Sequence, residues 1–363
     1  MTKKPTVIAA MSGGVDSSVA AALLKQQGYN VIGATLRLRP TGDADDMEWC
    51  LSRDAEVQSR AVAAALGIPH HVVDVSEIFD REILYPAWEE YDRGRTPSPC
   101  VRCNVNIKFK LLLELGAKLG ASCTATGHYA RVEQTPSGPR LFRGKDKTKD
   151  QSYFLFGLPP SYLEVALFPL GDMLKSDVRK LAKQYGFQNA ERKDSQDACF
   201  SLGEDGFAEA LRIRFNAVSR PGAVLNTDGE RIGNHQGIHL YTIGQRKGLR
   251  IAVGKKAYVC RIDANRDRVI LTADPKDLEC TGLVATEVSW IGGTAPTLPM
   301  MCEAQIRYRH LPSKARVDLT ENGELEIRFD RPESAAAPGQ AVVLYDGERV
   351  IGGGWIDRTE RGA

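Results

Sequence analysis

The stretch TVIAAMSGGVDSSVAAALL, Thr6 to Leu24, constrains this chain more than any other. Thr6 to Ala10 reads as a short buried strand. Ser17 to Gln27 reads as a helix, with Val19, Ala20, Leu23 and Leu24 on one face and Gly28 as its stop. Between them stands Ser12-Gly13-Gly14-Val15-Asp16-Ser17. Glycines let backbone N–H groups close on an anion and tolerate positive φ. The helix that follows adds unpaired N–H donors and the positive end of its dipole, and Ser12, Ser17 and Ser18 add hydroxyls. The loop is a phosphate cradle. It has no Gly-Lys-Ser/Thr, so it is not a Walker A loop, and it lacks the dinucleotide G-x-G-x-x-G spacing. Asp16 is placed to help hold a magnesium ion beside the phosphates, or to act as a helix-start acid.

Strand and helix patterns alternate onward. Val31–Leu36 and His70–Val75 read as strands, with a helix between them that Ser52 can cap and Gly67 closes. Phe109–Leu119 reads as a helix and Cys123–Ala130 as a fourth strand. Such alternation implies a parallel sheet covered on both faces, with ligands at the carboxyl ends of the strands. The Ser12–Ser17 loop, Leu36 and Gly127 all fall there. After about Phe215 the character changes. AVLNTDGERIGNH and AYVCRIDANRDRVILTA read as hairpins. From Gly282 onward short strands broken by Gly, Pro and Asn imply an all-β barrel or sandwich, with Pro332–Gly339 as a loop.

Composition is that of an ordinary globular protein, with 42% hydrophobic and 26% charged residues. The length of 363 residues suits two or three domains. The apolar run near the N-terminus is too short for a signal h-region and runs into the glycine loop. No run approaches the roughly 20 apolar residues of a membrane span. A cytoplasmic protein without a membrane partner is expected. A net charge of +2 means that any nucleic-acid surface must be a local patch.

Eight cysteines are too few for a disulfide scaffold. Cys100 and Cys103 form one Cys-x-x-Cys, readable as half a zinc site, a redox pair or one reactive cysteine with a neighbour. A zinc site needs about four ligands, and no second Cys-x-x-Cys exists. Arg102 and Lys108 make the neighbourhood electropositive, which favours a thiolate. Cys199 lies in the polar stretch KDSQDACFSLGEDGF, an unusual place for a packing cysteine. Cys50, Cys123, Cys260, Cys280 and Cys302 read as small hydrophobes. His128, at a strand end, reads as structural.

The glycine loop, TPSPCVRCNVNIKF, TGHYAR, KDQSYFL, DSQDACF, GIHLYTIGQRKGL and RYRH occur in this order over nearly the whole chain. The set resembles the tRNA-specific 2-thiouridylase family of PP-loop ATP pyrophosphatases, which place sulfur on C2 of the wobble uridine. The resemblance implies an N-terminal Rossmann-like α/β domain of the PP-loop type (1–204), a small central α/β domain (205–276) and a C-terminal β-barrel that contacts tRNA (277–363). It implies ATP and Mg2+ as cofactors. Ala10, Met11, Ser12, Gly13, Gly14, Val15, Asp16, Ser17, Leu36 and Gly127 would line the ATP site. Cys199 would carry a persulfide and Cys103 would act as the nucleophile, leaving an alternate Cys103–Cys199 disulfide. Lys149, Asp150, Gln151, Arg307 and Tyr308 would touch tRNA in its anticodon region, where Arg309, His310, Lys314 and Arg316 add a basic cluster. The sulfur donor would be a cysteine desulfurase or a sulfur-relay protein.

One departure stands out. Part of the family carries Asn-Pro-Asp before the catalytic cysteine, used at the target base; here the stretch is Ser98-Pro99-Cys100. The extra thiol leaves a second option, a [4Fe–4S] cluster on Cys100, Cys103 and Cys199. Two other readings are compatible with the loop alone. One is a PP-loop synthetase acting on a small carboxylate or carbonyl, which would not need Cys103 and Cys199. The other is an RNA-binding protein with a structural nucleotide.

Overall fold

The computed structural model describes residues 4–39, 50–191, 206–249, 251 and 256–360. The first region is a parallel sheet of β1 (Thr6–Ala10), β2 (Asn30–Arg37), β3 (His70–Asp74), β4 (Cys123–Ala125) and β7 (Ala166–Leu167), in the order β3-β2-β1-β4-β7. β1 pairs with β2 on one side and β4 on the other. Their order reverses there, and a crevice opens above the carboxyl end of β1. Helix α1 (Val15–Gln26) leaves this point, buried along Val15, Val19, Ala20, Ala22 and Leu24. It ends where Gly28 adopts φ +88°. Helix α2 (Cys50–Leu66) packs Val62 and Ala63 into the same cluster.

The fourth strand is shorter than Cys123–Ala130. β4 stops at Ala125, and Ala130 begins β5 (Ala130–Thr135), which turns into β6 (Gly138–Arg143) and leaves the parallel sheet. The physical reason is the irregular stretch Thr126–His128. There Gly127 lies so close to the α1 N-terminus that a Cβ would meet the Ser17 nitrogen at 2.9 Å. The Phe109–Leu119 helix also differs. The α-helical part is Lys110–Lys118, and a π-helical turn, Asn104–Phe109, precedes it and continues a short helix Pro99–Cys103.

β8 (Gly222–Leu225) and β9 (Arg231–His235) form the expected hairpin, as do β10 (Tyr258–Asp263) and β11 (Arg268–Thr272); β8 and β11 pair in parallel to complete a four-stranded sheet. The C-terminal region comprises β12 (Glu279–Trp290), β13 (Met300–Gln305), β14 (Ser313–Leu319), β15 (Leu325–Ser334), β16 (Ala341–Asp346) and β17 (Arg349–Glu360). Their order is β12-β15-β14-β13-β16-β17, and β12 also pairs with β17, so the sheet closes as a barrel rather than a sandwich. Closure removes the edges that an open sheet would expose. β15 runs to Ser334, further into the Pro332–Gly339 stretch than its composition suggests. The β5–β6 hairpin adds to the barrel through Arg349↔Phe142 and Val350↔Leu141. One hydrophobic cluster therefore holds Leu141, Tyr153, Phe156, Val343 and Tyr345 together.

His128 stacks on Phe109 and meets Phe168 edge-on, with Nδ1 2.7 Å from the Thr126 hydroxyl. Desolvation, with Lys108 nearby, lowers its pKa from 6.5 to about 3. The histidine is neutral at working pH and structural. Because the unfolded chain takes up this proton near pH 6.5 and the folded chain does not, stability is present above that pH and is lost as pH falls toward 3. Moving from pH 7 to pH 5 should cost about 2 kcal/mol through this group. Denaturant unfolding of wild type and His128→Gln at both pH values should show a smaller loss in the variant.

Candidate active site

The phosphate loop holds its shape through its own side chains. The Ser12 N–H donates to Ser17 Oγ at 3.1 Å, and the two serine hydroxyls lie 3.2 Å apart. Ser17 Oγ donates to the Gly14 carbonyl at 3.0 Å and Ser18 Oγ to the same oxygen at 2.9 Å. Ser17 and Ser18 are thus engaged in building the loop, beyond the direct phosphate donation their hydroxyls suggest. Met11 is pinned by three bonds: its N–H donates to Ala34 O at 2.8 Å, while its carbonyl accepts from Thr35 Oγ1 at 2.7 Å and Ser59 Oγ at 3.2 Å. Gly13 has φ +73°, and a Cβ there would meet the Ala55 carbonyl oxygen at 2.5 Å. Glycine is required twice over, by conformation and by space. The first-turn N–H groups of α1 lie outside the helical ladder and face the crevice end.

Asp16 has a partner that the sequence does not reveal. Lys175, 8% exposed, donates from Nζ to both carboxylate oxygens at 2.7 and 2.8 Å, and the Tyr129 hydroxyl donates to Oδ1 at 2.8 Å. A magnesium ion on Asp16 would have to compete with this ammonium for the same oxygens. The residues present therefore form a neutral ion pair beside the loop in place of an open metal ligand. Asn189, 3% exposed, is a second unforeseen contact: its Nδ2 donates to Gly13 O at 2.9 Å and to Ser18 Oγ at 3.0 Å. Leu36 sits half-buried at the end of β2, packed against both the sheet core and the cluster that contains Cys103.

Cys103 is 2% exposed on the helix Pro99–Cys103, among Val75, Phe79, Ile83, Trp88 and Ile107. Cys100 is half-buried one turn earlier, packed against the same cluster. Cys199 lies outside the described residues. Its described flanks are informative. Upstream, Asn189 holds the phosphate loop; downstream, the helix Phe207–Arg214 puts Leu211 and Phe207 into the Cys103 cluster. Cys199 lies between these two stretches in sequence. The expected electropositive surroundings are partly redirected. Arg102 pairs with Glu287 at 2.9 Å and stacks over Trp355, and Lys108 acts on His128. Among the described residues no group of three His, Cys, Asp or Glu gathers as a metal site.

Three family models match in this order along the chain. Residues 5–202 match the tRNA methyl transferase HUP domain, 214–273 its PRC-barrel domain, and 280–356 the aminomethyltransferase beta-barrel domain. A curated protein of Geobacter metallireducens, tRNA-specific 2-thiouridylase MnmA, is 44% identical over 98% of this chain and 98% of its own. Namesakes from Geotalea uraniireducens and Syntrophotalea carbinolica are 44% and 43% identical, over 98% of this chain and 96% and 99% of theirs. The chain belongs to the tRNA-specific 2-thiouridylase family.

The thiouridylase residues expected at the RNA come from two distant parts of the chain and meet at one seam. Lys149 and Asp150 lie close enough to the Tyr308 phenol to act on it electrostatically in opposite directions, while burial pushes that phenol up from its ordinary range. Tyr308 rests on Phe154, with ring centroids 4.4 Å apart. Asp150, Gln151 and Arg307 hold bonds within the protein. Asp150 accepts from Arg143 at 2.9 Å, from the Gly144 N–H at 2.9 Å and from both the N–H and hydroxyl of Ser152. Gln151 accepts the Tyr129 N–H at 3.1 Å, and Arg307 donates to the carbonyls of Ser334 and Ala335. Asp150 and Gln151 therefore shape the seam. Leu311, three residues after Tyr308, is 83% exposed. Among the described residues no helix is long and apolar enough to cross a membrane.

Removing Lys175 should leave the partly buried Asp16 carboxylate without its ammonium partner. Lys175→Met should lower unfolding free energy by about 2 kcal/mol and weaken ATP binding, and adding Asp16→Asn should restore most of the stability but not the affinity. Denaturant titration and calorimetric ATP binding of the two single variants and the double variant check this.

Proposed function

We propose that this chain thiolates C2 of the wobble uridine of tRNA at the expense of ATP. The observation that carries the reading is a PP-loop lacking a Walker lysine on the same sheet whose strand-end residue Leu36 packs against the Cys103 cluster. The C2 carbonyl is a poor electrophile with a poor leaving group. Its oxygen attacks the α-phosphorus of ATP held by Ala10–Ser17, Leu36 and Gly127, and pyrophosphate leaves. The N-terminus of α1 and the Lys175 ammonium offset the charge that develops there. Cys199 accepts sulfur as a persulfide from a donor of the cysteine desulfurase or sulfur-relay class. The Cys103 thiolate attacks the sulfur of Cys199 nearer the chain and forms the Cys103–Cys199 disulfide. The outer sulfur is released as hydrosulfide and adds to C2, and AMP departs with the former carbonyl oxygen. A cellular dithiol then reduces the disulfide.

The disulfide requires the two Cα atoms to come within about 7 Å. Lys149, Arg307 and Tyr308, with Arg309, His310, Lys314 and Arg316, would bind tRNA, and Asp150 and Gln151 would hold that surface in shape. The units 1–204, 205–276 and 277–363 would serve as catalytic, central and tRNA-contacting parts, with the β5–β6 hairpin bridging the first and last. The protein would act in the cytoplasm. Magnesium would arrive with the nucleotide's own phosphates rather than on Asp16.

Incubation with ATP, a persulfide donor and unmodified tRNA, followed by nucleoside analysis, should yield 2-thiouridine. Cys103→Ala and Cys199→Ala should each abolish product while retaining ATP binding. Product from either variant would refute the covalent route. Protein purified without oxygen should be colourless and active; a brown protein whose colour depends on Cys100 would favour the [4Fe–4S] alternative.

A further inference from the structure

Cys100 and Cys103 lie in the first turns of a continuous helical run from Pro99 to Lys118, whose N-cap residue Ser98 makes no side-chain capping bond. Its buried face packs in the Cys103 cluster. The C-terminal barrel holds its uncapped start. Upstream, Gln340 donates from Nε2 to the carbonyls of Thr96 and Pro97, at 3.0 and 3.1 Å. The Thr96 N–H donates to Pro338 O at 2.8 Å. Gly339, at φ +91°, comes so near that a Cβ would meet the Thr96 oxygen at 2.9 Å. Arg95 reaches the Asp357 carboxylate at 3.1 Å and the Ile356 carbonyl at 3.2 Å. Gln340 is itself fixed, because the Ile356 N–H donates to its carbonyl at 2.8 Å. On the flank, the Arg102 guanidinium sits 4.5 Å from the Trp355 ring centre and pairs with Glu287. Downstream, Asn104 donates to Phe154 O at 2.9 Å, and Phe154 carries Tyr308.

We propose that the barrel is part of the catalytic scaffold, with Gln340 and Trp355 as positioning residues that set the Cys103 helix. The role in turnover rests on the function proposed above; the positioning itself does not. The Pro338–Gln340 loop grips the backbone just ahead of the helix, Trp355 fixes its first turns at Arg102, and Asn104 fixes the next residues to the segment beneath Tyr308. An RNA bound at Tyr308 and Arg307 therefore bears on the same rigid body that fixes the thiol. A binding module tethered only by a linker would make none of these contacts.

Gln340→Glu keeps the shape but loses both donated bonds, and Trp355→Leu removes the ring under Arg102. Each should raise the rate of Cys103 alkylation by iodoacetamide, mapped by peptide mass spectrometry without ATP or tRNA, at least about fivefold as the helix loosens. Each should cut kcat for 2-thiouridine by about ten- to a hundredfold, with tRNA affinity and pyrophosphate release held within about twofold. Trp355→Phe should restore most of both readouts. Unchanged alkylation and turnover would overturn the proposal. So would changes that track a fall in melting temperature equally in all three variants, since that marks a folding role. Wild-type protein that makes no 2-thiouridine would refute the functional reading, while the alkylation comparison would still decide the positioning.

Discussion

The crevice above β1 is the constraint on which the rest of the molecule depends. β1 is paired on one side to β2 and on the other to β4, so the chain segments leaving its two neighbours diverge. Into that gap fall the glycine loop, the N-terminus of α1 and Gly127, whose missing side chain lets β4 approach the Ser17 nitrogen. The gap is lined by the N–H groups of the α1 N-terminus and by the Lys175–Asp16 ion pair, which Tyr129 holds in place. This arrangement suits a polyphosphate. It also explains why β4 must end early. A strand continued to Ala130 would bring side chains against α1, so the chain leaves the sheet at Thr126–His128 and supplies the hairpin to another sheet.

That exit ties the two halves together. The β5–β6 hairpin extends the barrel through β17, and the following Asp150–Phe156 stretch fills the space between hairpin and barrel. Asp150 is the hub of this region: one buried carboxylate satisfies Arg143, Gly144 and Ser152 at once, and burial would be costly without those partners. The Tyr308 seam and the helix that carries Cys103 share this support through Phe154.

Much of this was legible in the letters, for identifiable reasons. The strand–loop–helix of the phosphate cradle is local: apolar run, glycines and helix pattern are contiguous, and Gly13 is required by φ and space together. The first hairpin announced itself through its Asp-Gly turn, and the second through its alternating pattern. Barrel closure did not, because β12 meets β17 only through pairing across most of the region, and alternation along a strand is the same in a barrel and a sandwich. The π-helical turn after Cys103 was also invisible, since its residues are ordinary helix formers. Lys175 and Asn189 left no signal: a lysine opening a helix and an asparagine in a short turn look like surface residues until the fold buries them against the glycine loop.

The sequence by itself determined the chemistry available. Its glycine loop lacks the Walker lysine, its thiols stand at Cys100, Cys103 and Cys199, and its β-rich end carries a basic cluster around Arg307, because each of these is a matter of residue type and short spacing. Tertiary structure alone decided which groups share a surface. It gave Asp16 to Lys175 instead of leaving it open, turned Arg102 toward Trp355, made Asp150 a structural hub and laid Gln340 across the backbone ahead of Cys103. Those contacts join residues far apart along the chain, and only burial in a common core fixes their distances.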